Sequence, residues 1–94
     1  MKIYNTQADI DAALDKAGNL YIEDDIVIRC NCVIDGDITA GDIKARNIKA
    51  RDISYYAICV AHQTLTCRKI KGHREKSLHT CLDSEIVFKD GGAK

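Results

Sequence analysis

The chain has no tryptophan, no proline and a single phenylalanine, Phe88. Its core therefore cannot rest on large rings. The apolar content comes instead from isoleucine and alanine, which suits β-branched stacking. Without proline, every backbone N–H can join a strand ladder. Net charge is also missing, since 14 lysines and arginines balance 14 aspartates and glutamates, so no global field draws the protein to nucleic acid or to an anionic membrane. No apolar run is long enough to cross a bilayer, and no membrane partner is expected. The opening Met1-Lys2-Ile3-Tyr4-Asn5 turns polar at once, unlike a signal peptide, so a cytoplasmic location is expected. There the odd set Cys30, Cys32, Cys59, Cys67 and Cys81 reads as free thiols. Ninety-four residues suit one domain, 1–94, with a modest core that needs a regular ladder, a partner or both.

Thr6 followed by Asp9 has the form of a helix start. Ile10, Ala13, Leu14 and Ala17 then fall on one helical face, and Gly18 stands where a C-terminal cap belongs. A short capping helix is predicted over 6–17, with Ile3 and Tyr4 as a brief strand before it. From Leu20 the period changes to two. Leu20 and Ile22 alternate with polar neighbours, as do Ile26, Ile28, Cys30 and Cys32, which means strands.

The most informative stretch begins at Val33. Val33, Ile38, Ile43, Ile48, Ile53 and Ile58 recur every five residues. Ala40, Ala45 and Ala50 follow their isoleucines by two, and Asp37, Asp42, Asn47 and Asp52 directly precede theirs. The unit is Asp/Asn-Ile-x-Ala-x. Such a period fits a chain that turns a corner every fifth residue, with Ile and Ala inside and Asp or Asn satisfying backbone groups at each corner. The expected fold is mainly β: a short β-helix (solenoid) of about three to four coils over 20–88, with four sides and about twenty residues per coil. Beyond Ala61 the repeat decays. Leu65, Cys67 and Ile70 still read as inward, 73–76 as a loop, Leu82 with Ile86, Val87 and Phe88 as a final strand, and 89–94 as a flexible tail.

This five-residue unit resembles in part the pentapeptide-repeat proteins, and the resemblance implies a four-sided right-handed β-helix. The run from Asp42 to Ala57, with Asp42-Ile43-Lys44-Ala45-Arg46 and its following copies, also resembles small proteins encoded by phages and prophages of gut bacteria. That likeness spans most of 20–88 and implies a phage setting inside a host cell; it implies no activity.

Several constellations were weighed as sites. Lys44, Arg46, Lys49 and Arg51 face outward under the repeat. A twenty-residue coil stacks Arg29, Lys49 and Lys69 in one column and sets Arg51 over Lys71, an arrangement suited to an anion or phosphate. The bland alternative is a solvated face whose cations pair with Asp42, Asp52 and Glu75. Cys59-x-x-His62 with His79-x-Cys81, or with Cys30-x-Cys32, has the ligand types of zinc but no established zinc spacing, so no metal and no cofactor are expected. Gly36 and Gly41 have the spacing of a phosphate loop, yet Asp42-Ile43 stands where Lys-Ser/Thr is required. There is no nucleophile elbow, and no Cys–His pair is marked above another. Left-handed acyltransferase helices repeat every six residues, not five. No enzyme is expected. Tyr55 and Tyr56 interrupt the small-residue pattern, and an outward one of the pair is a candidate interface anchor.

A short solenoid has two raw ends. The helix suits the first. Ile86, Val87 and Phe88 at the other suggest pairing with a second copy as a two-fold homodimer. The function expected is a non-enzymatic phage accessory protein of the anti-defence, anti-CRISPR type that binds and inhibits a host macromolecule, a protein or a nucleoprotein complex. Two alternatives stand beside it. One is a self-assembling structural β-helix, like the bactofilins; the other is a nucleotide or nucleic-acid-binding module that uses a basic face.

Overall fold

The computed structural model describes residues 1–88. The tail expected at 89–94 lies outside the described residues. Along the chain run β1 (Lys2–Tyr4), α1 (Gln7–Ala13), β2 (Leu20–Tyr21), β3 (Ile26–Val33), β4 (Ile38–Thr39) and β5 (Ile43–Lys49). They are followed by β6 (Asp52–Tyr55), β7 (Ile58–Cys67), β8 (Lys69–Gly72), β9 (Leu78–Cys81) and β10 (Val87–Phe88). Strand pairing is parallel, in two sheets ordered β1-β3-β5-β7-β10, with β9 also on β7, and β2-β4-β6-β8. Each strand stacks on its equivalent one turn later, so the fold is a β-solenoid of about four turns, as the repeat predicts.

The coil has three sides, not four. Ile38 lies against Ile53, fifteen residues on; Ile43 lies against Cys59, sixteen on; Ile48 lies against Leu65, seventeen on. The small sheet forms one side. β3, β5 and β7 each fold at a register shift and so supply the other two. With one isoleucine and one alanine per side, the inward groups are too small to hold four walls apart, and three five-residue sides close the ring around a filled interior.

That interior is a set of columns: Leu20–Ile38–Ile53–Ile70, Ile26–Ile43–Cys59, Cys32–Ile48–Leu65, and Tyr4–Ile28–Ala45–Ala61–Cys81. Most of these side chains are completely buried. Each such isoleucine contributes roughly 1.5–3 kcal/mol relative to an exposed one. Leu65 and Cys67 face inward as expected, and Ile70 packs half-buried against the core. The five-residue phase fails at both ends of the repeat. Val33 is 52% exposed and Ile58 41%, while Cys32, Ile34 and Cys59 take the inward places. Six residues separate Cys32 from Ile38 and Ile53 from Cys59, so one extra residue in each turn shifts the phase.

Corner carboxylates and amides tie one coil to the next. Asn19 Oδ1 accepts from the Asp37 N–H (2.8 Å), and Asp37 Oδ1 from the Asp52 N–H (3.2 Å). At the next corner Asp25 Oδ1 accepts from the Asp42 N–H (2.8 Å), and Asp42 Oδ1 from the N–H groups of Ala57 and Ile58 (3.2 and 3.1 Å). At the third, Asn47 Nδ2 donates to Asn31 Oδ1 and to Gln63 Oε1 (3.0 Å). The role expected of Asp and Asn, satisfying backbone groups, is observed at the first two corners; at the third, Asn47 links side chains instead. Glycine precedes Asp37 and Asp42 because a Cβ on Gly36 or Gly41 would collide with the reaching side chain of Asn19 or Asp25.

The helix is shorter than its pattern suggests. Thr6 caps it, with Asp9 completing a capping box, but it ends at Ala13 rather than at Ala17. Asp15 Oδ1 accepts from the N–H groups of Ala17 (2.9 Å) and Asn19 (3.0 Å), and this local turn competes with another helical turn. Gly18, at φ +81°, serves that turn rather than the helix end. Ile10 is fully buried, Ala13 and Leu14 pack on the core, and Ala17 is exposed. Gln7 reads β3 as a neighbouring strand would: its Oε1 accepts from the Val33 N–H and its Nε2 donates to the Val33 carbonyl, both at 2.9 Å. With β1 paired to Ile26–Ile28, these contacts cover β3 at the first end of the stack and leave β1 and β2 as its outermost strands.

Candidate functional site

The corner where β3, β5 and β7 fold between their two sides is not uniform. Ile28 and Asn31 are separated by two residues, Ala45 and Asn47 by one, and Ala61 and Thr64 by two. The middle coil takes the corner with less chain and sits back from its neighbours. A cleft of about 570 Å³ opens there, floored by Val27, Ile28 and Ala45. Arg29, Lys44, Arg46 and His62 line its walls, and Asp83 stands at its rim. All five of these polar side chains are exposed. Among the described residues, none of Arg29, Lys44 and Arg46 makes an ion pair. Three like charges on adjacent rungs repel one another, and an anion between them removes that repulsion.

The register separates the remaining basic residues. Lys49 lies between Val33 and Thr66, and Lys69 lies beside Asp52, so the expected column of Arg29, Lys49 and Lys69 does not form. Arg51 sits between Gly36 and Arg68 rather than under Lys71, and its Nε donates to Asp37 (3.1 Å). Lys71 continues an outward row from Tyr21, Thr39 and Ser54. The cause is the coil length: with fifteen to seventeen residues per turn, positions twenty apart fall on different sides. The pairing expected for the bland reading is likewise revised. Asp42 serves backbone N–H groups, and Asp52 is held by Arg68 through Nε (3.0 Å) and Nη2 (2.8 Å). That guanidinium keeps the Asp52 carboxyl below its ordinary range.

The two tyrosines divide sharply. Tyr55 is fully buried and Tyr56 is 57% exposed. Tyr55 fills space above Ala40 and beside Gly72, and its hydroxyl bonds His79 Nδ1 at 2.7 Å. Burial pushes its phenol up. It is therefore a core residue and no interface anchor, whereas Tyr56 stands at a corner beside Tyr21 and Asp24.

Three of the five thiols, Cys32, Cys59 and Cys67, are buried, and Cys30 and Cys81 are partly exposed. Burial pushes Cys32 and Cys59 up to about 12 and Cys67 up to about 11, so each is a neutral thiol at physiological pH. His79 pairs with Cys59 in the ladder, but the Cys59 thiol is sealed from solvent, while His62, three residues on, faces outward. Among the described residues no three His, Cys, Asp or Glu side chains converge as a metal cluster would. At the last coil, Ile86 packs half-buried on the core, while Val87 and Phe88 pair with Thr66 and Cys67 and leave their side chains exposed. Leu82, expected in the final strand, is an exposed residue of the bend before it. Among the described residues, no helix is long and apolar enough to cross a membrane.

Two participants escape sequence reasoning. His62 joins Arg29 and Arg46 only once the corner lengths are known, and Gln7 shows no signal of its bond to a strand 26 residues away. Comparison with protein-family models, curated proteins and solved structures finds no match.

Proposed function

We propose that the protein is a non-enzymatic accessory module of phage type that acts by occupying a host macromolecule, and that the corner cleft is its contact. The observation that carries this reading is the convergence of Arg29, Lys44 and Arg46 in one recess without an ion pair among the described residues. The ladder beneath fixes the backbone positions of all three, so binding need order only their side chains. Bacteria carrying an active CRISPR defence, challenged with a targeted phage, provide the test. Expression of the protein is expected to restore plaques, and Arg46→Glu to abolish the restoration. Equal restoration by the variant would remove the cleft from the reading, and none by the wild type would remove the anti-defence role.

A second copy is the partner proposed for the last coil. Leu78, Leu82, Val87 and Phe88 are exposed there, whereas α1, β1 and Gln7 cover the first coil. The covered first end favours a closed dimer over a filament, since head-to-tail growth needs both ends open.

A further inference from the structure

We infer that the corner cleft takes the phosphodiester backbone of a nucleic acid, an inference that rests on the binding-module reading above and names the chemistry of the partner. Rungs of a β-ladder lie about 4.8 Å apart, so Arg29 and Arg46, which occupy successive turns of the corner, present charge along a line. Lys44 adds a third cation one residue from the corner, and the His62 imidazole adds a hydrogen-bonding group on the following turn. Three cations spread over two successive turns can meet neighbouring phosphates of one chain.

The lining also selects against other anionic ligands. Among the described residues, no phenylalanine, tyrosine or tryptophan borders the cleft, so a free nucleotide finds only the His62 imidazole on which to stack its base and would be held mainly by charge. The recess is shallow and open at the protein surface, with exposed walls, so it cannot desolvate a small phosphate. A polyanion overcomes both limits, because each neutralised phosphate releases condensed counterions and the gain accumulates along the backbone. An acidic peptide would meet the same cations. However, the apolar floor is limited to Val27, Ile28 and Ala45, of which Ile28 and Ala45 are buried, and this leaves little surface for peptide side chains. Contacts of this kind position a backbone and carry no sequence information. The carboxylate of Asp83 at the rim opposes the same ligand and limits its affinity.

Fluorescence anisotropy with a labelled DNA duplex of about 20 base pairs, titrated with the full chain at several salt concentrations, reads this out directly. Three phosphate contacts predict that log K falls with log salt with a slope of about −2.7. Arg46→Glu is expected to weaken binding by about tenfold or more, and Asp83→Asn to tighten it by about twofold to fivefold. Lys76→Glu changes the same charge outside the cleft and is expected to leave binding within about twofold. All three positions are exposed, so the fold tolerates the changes, and unaltered circular dichroism checks this. No duplex binding by the wild type at low salt, a slope near zero, or an equal loss in Lys76→Glu would each overturn the inference. If restoration of phage plaques still depends on Arg46 while DNA is ignored, the binding-module reading stands and its partner is a protein.

Discussion

The two ends of the solenoid solve the same problem unequally. At the first, β1 supplies strand pairing along Ile26–Ile28, α1 seats Ile10 on the core, and the Gln7 amide completes the pairing of Val33. At the last, β8 and β9 span only four residues each and β10 two, and among the described residues no helix packs over them; exposed apolar side chains occur at both ends, Met1, Ile3 and Tyr21 at the first and Leu78, Leu82, Val87 and Phe88 at the last. The contrast shows that capping here is a property of particular side chains and not of the repeat, since both ends rest on the same ladder. An edge closed within the chain contributes to the stability of the monomer, whereas an edge left open is available for association.

The largest expected effect that sharpens this comparison is Ile10→Ala. It opens a cavity under the helix and should cost about 2–5 kcal/mol in denaturant unfolding. A cost under about 0.5 kcal/mol would mean that α1 rests on the stack without closing it. Gln7→Ala removes three hydrogen bonds, two of them to Val33, and leaves the Val33 backbone groups to water. About 1–2 kcal/mol is expected, with faster hydrogen exchange at the Val33 amide. Val87→Lys at the open end is the smallest for the monomer, within about 0.5 kcal/mol. Its readout is mass: light scattering across a hundredfold concentration range should find a wild-type dimer and a monomeric variant. A monomer in both would show that the open end is tolerated unpaired, and a mass that climbs without limit would point to filaments.

The β-solenoid was legible because the isoleucines of the central coils and the Asp/Asn before them mark inside and corner with a regular period. Ile38, Ile43, Ile48 and Ile53 are all buried as that period requires. The number of sides was not legible, because a five-residue wall is compatible with any closed ring until the volume of the interior is known. That single uncertainty displaced the candidate site. Arg29, Lys44 and Arg46 were recognised as outward cations, but Lys49 and Lys69 were assigned to their column by a coil length that proved about four residues too long. Tyr55 broke the small-residue rule in the sequence, and it does so because its hydroxyl reaches His79 on the next coil, a contact that no local pattern encodes.

The corner bonds also give the stack a sense of direction. At two of the three corners, Asn19 serves Asp37, Asp37 serves Asp52, and Asp25 serves Asp42, each with the acceptor on the earlier turn and the N–H on the later one. A whole turn inserted among Ile38–Arg51 would receive the bond its predecessor offers and offer its own to the next, without disturbing either terminus. Height is thus a freely adjustable variable of this scaffold, changed in steps of one rung by duplication of a fifteen-residue module. A lineage can therefore lengthen or shorten the wall on which the cleft sits without redesigning the fold.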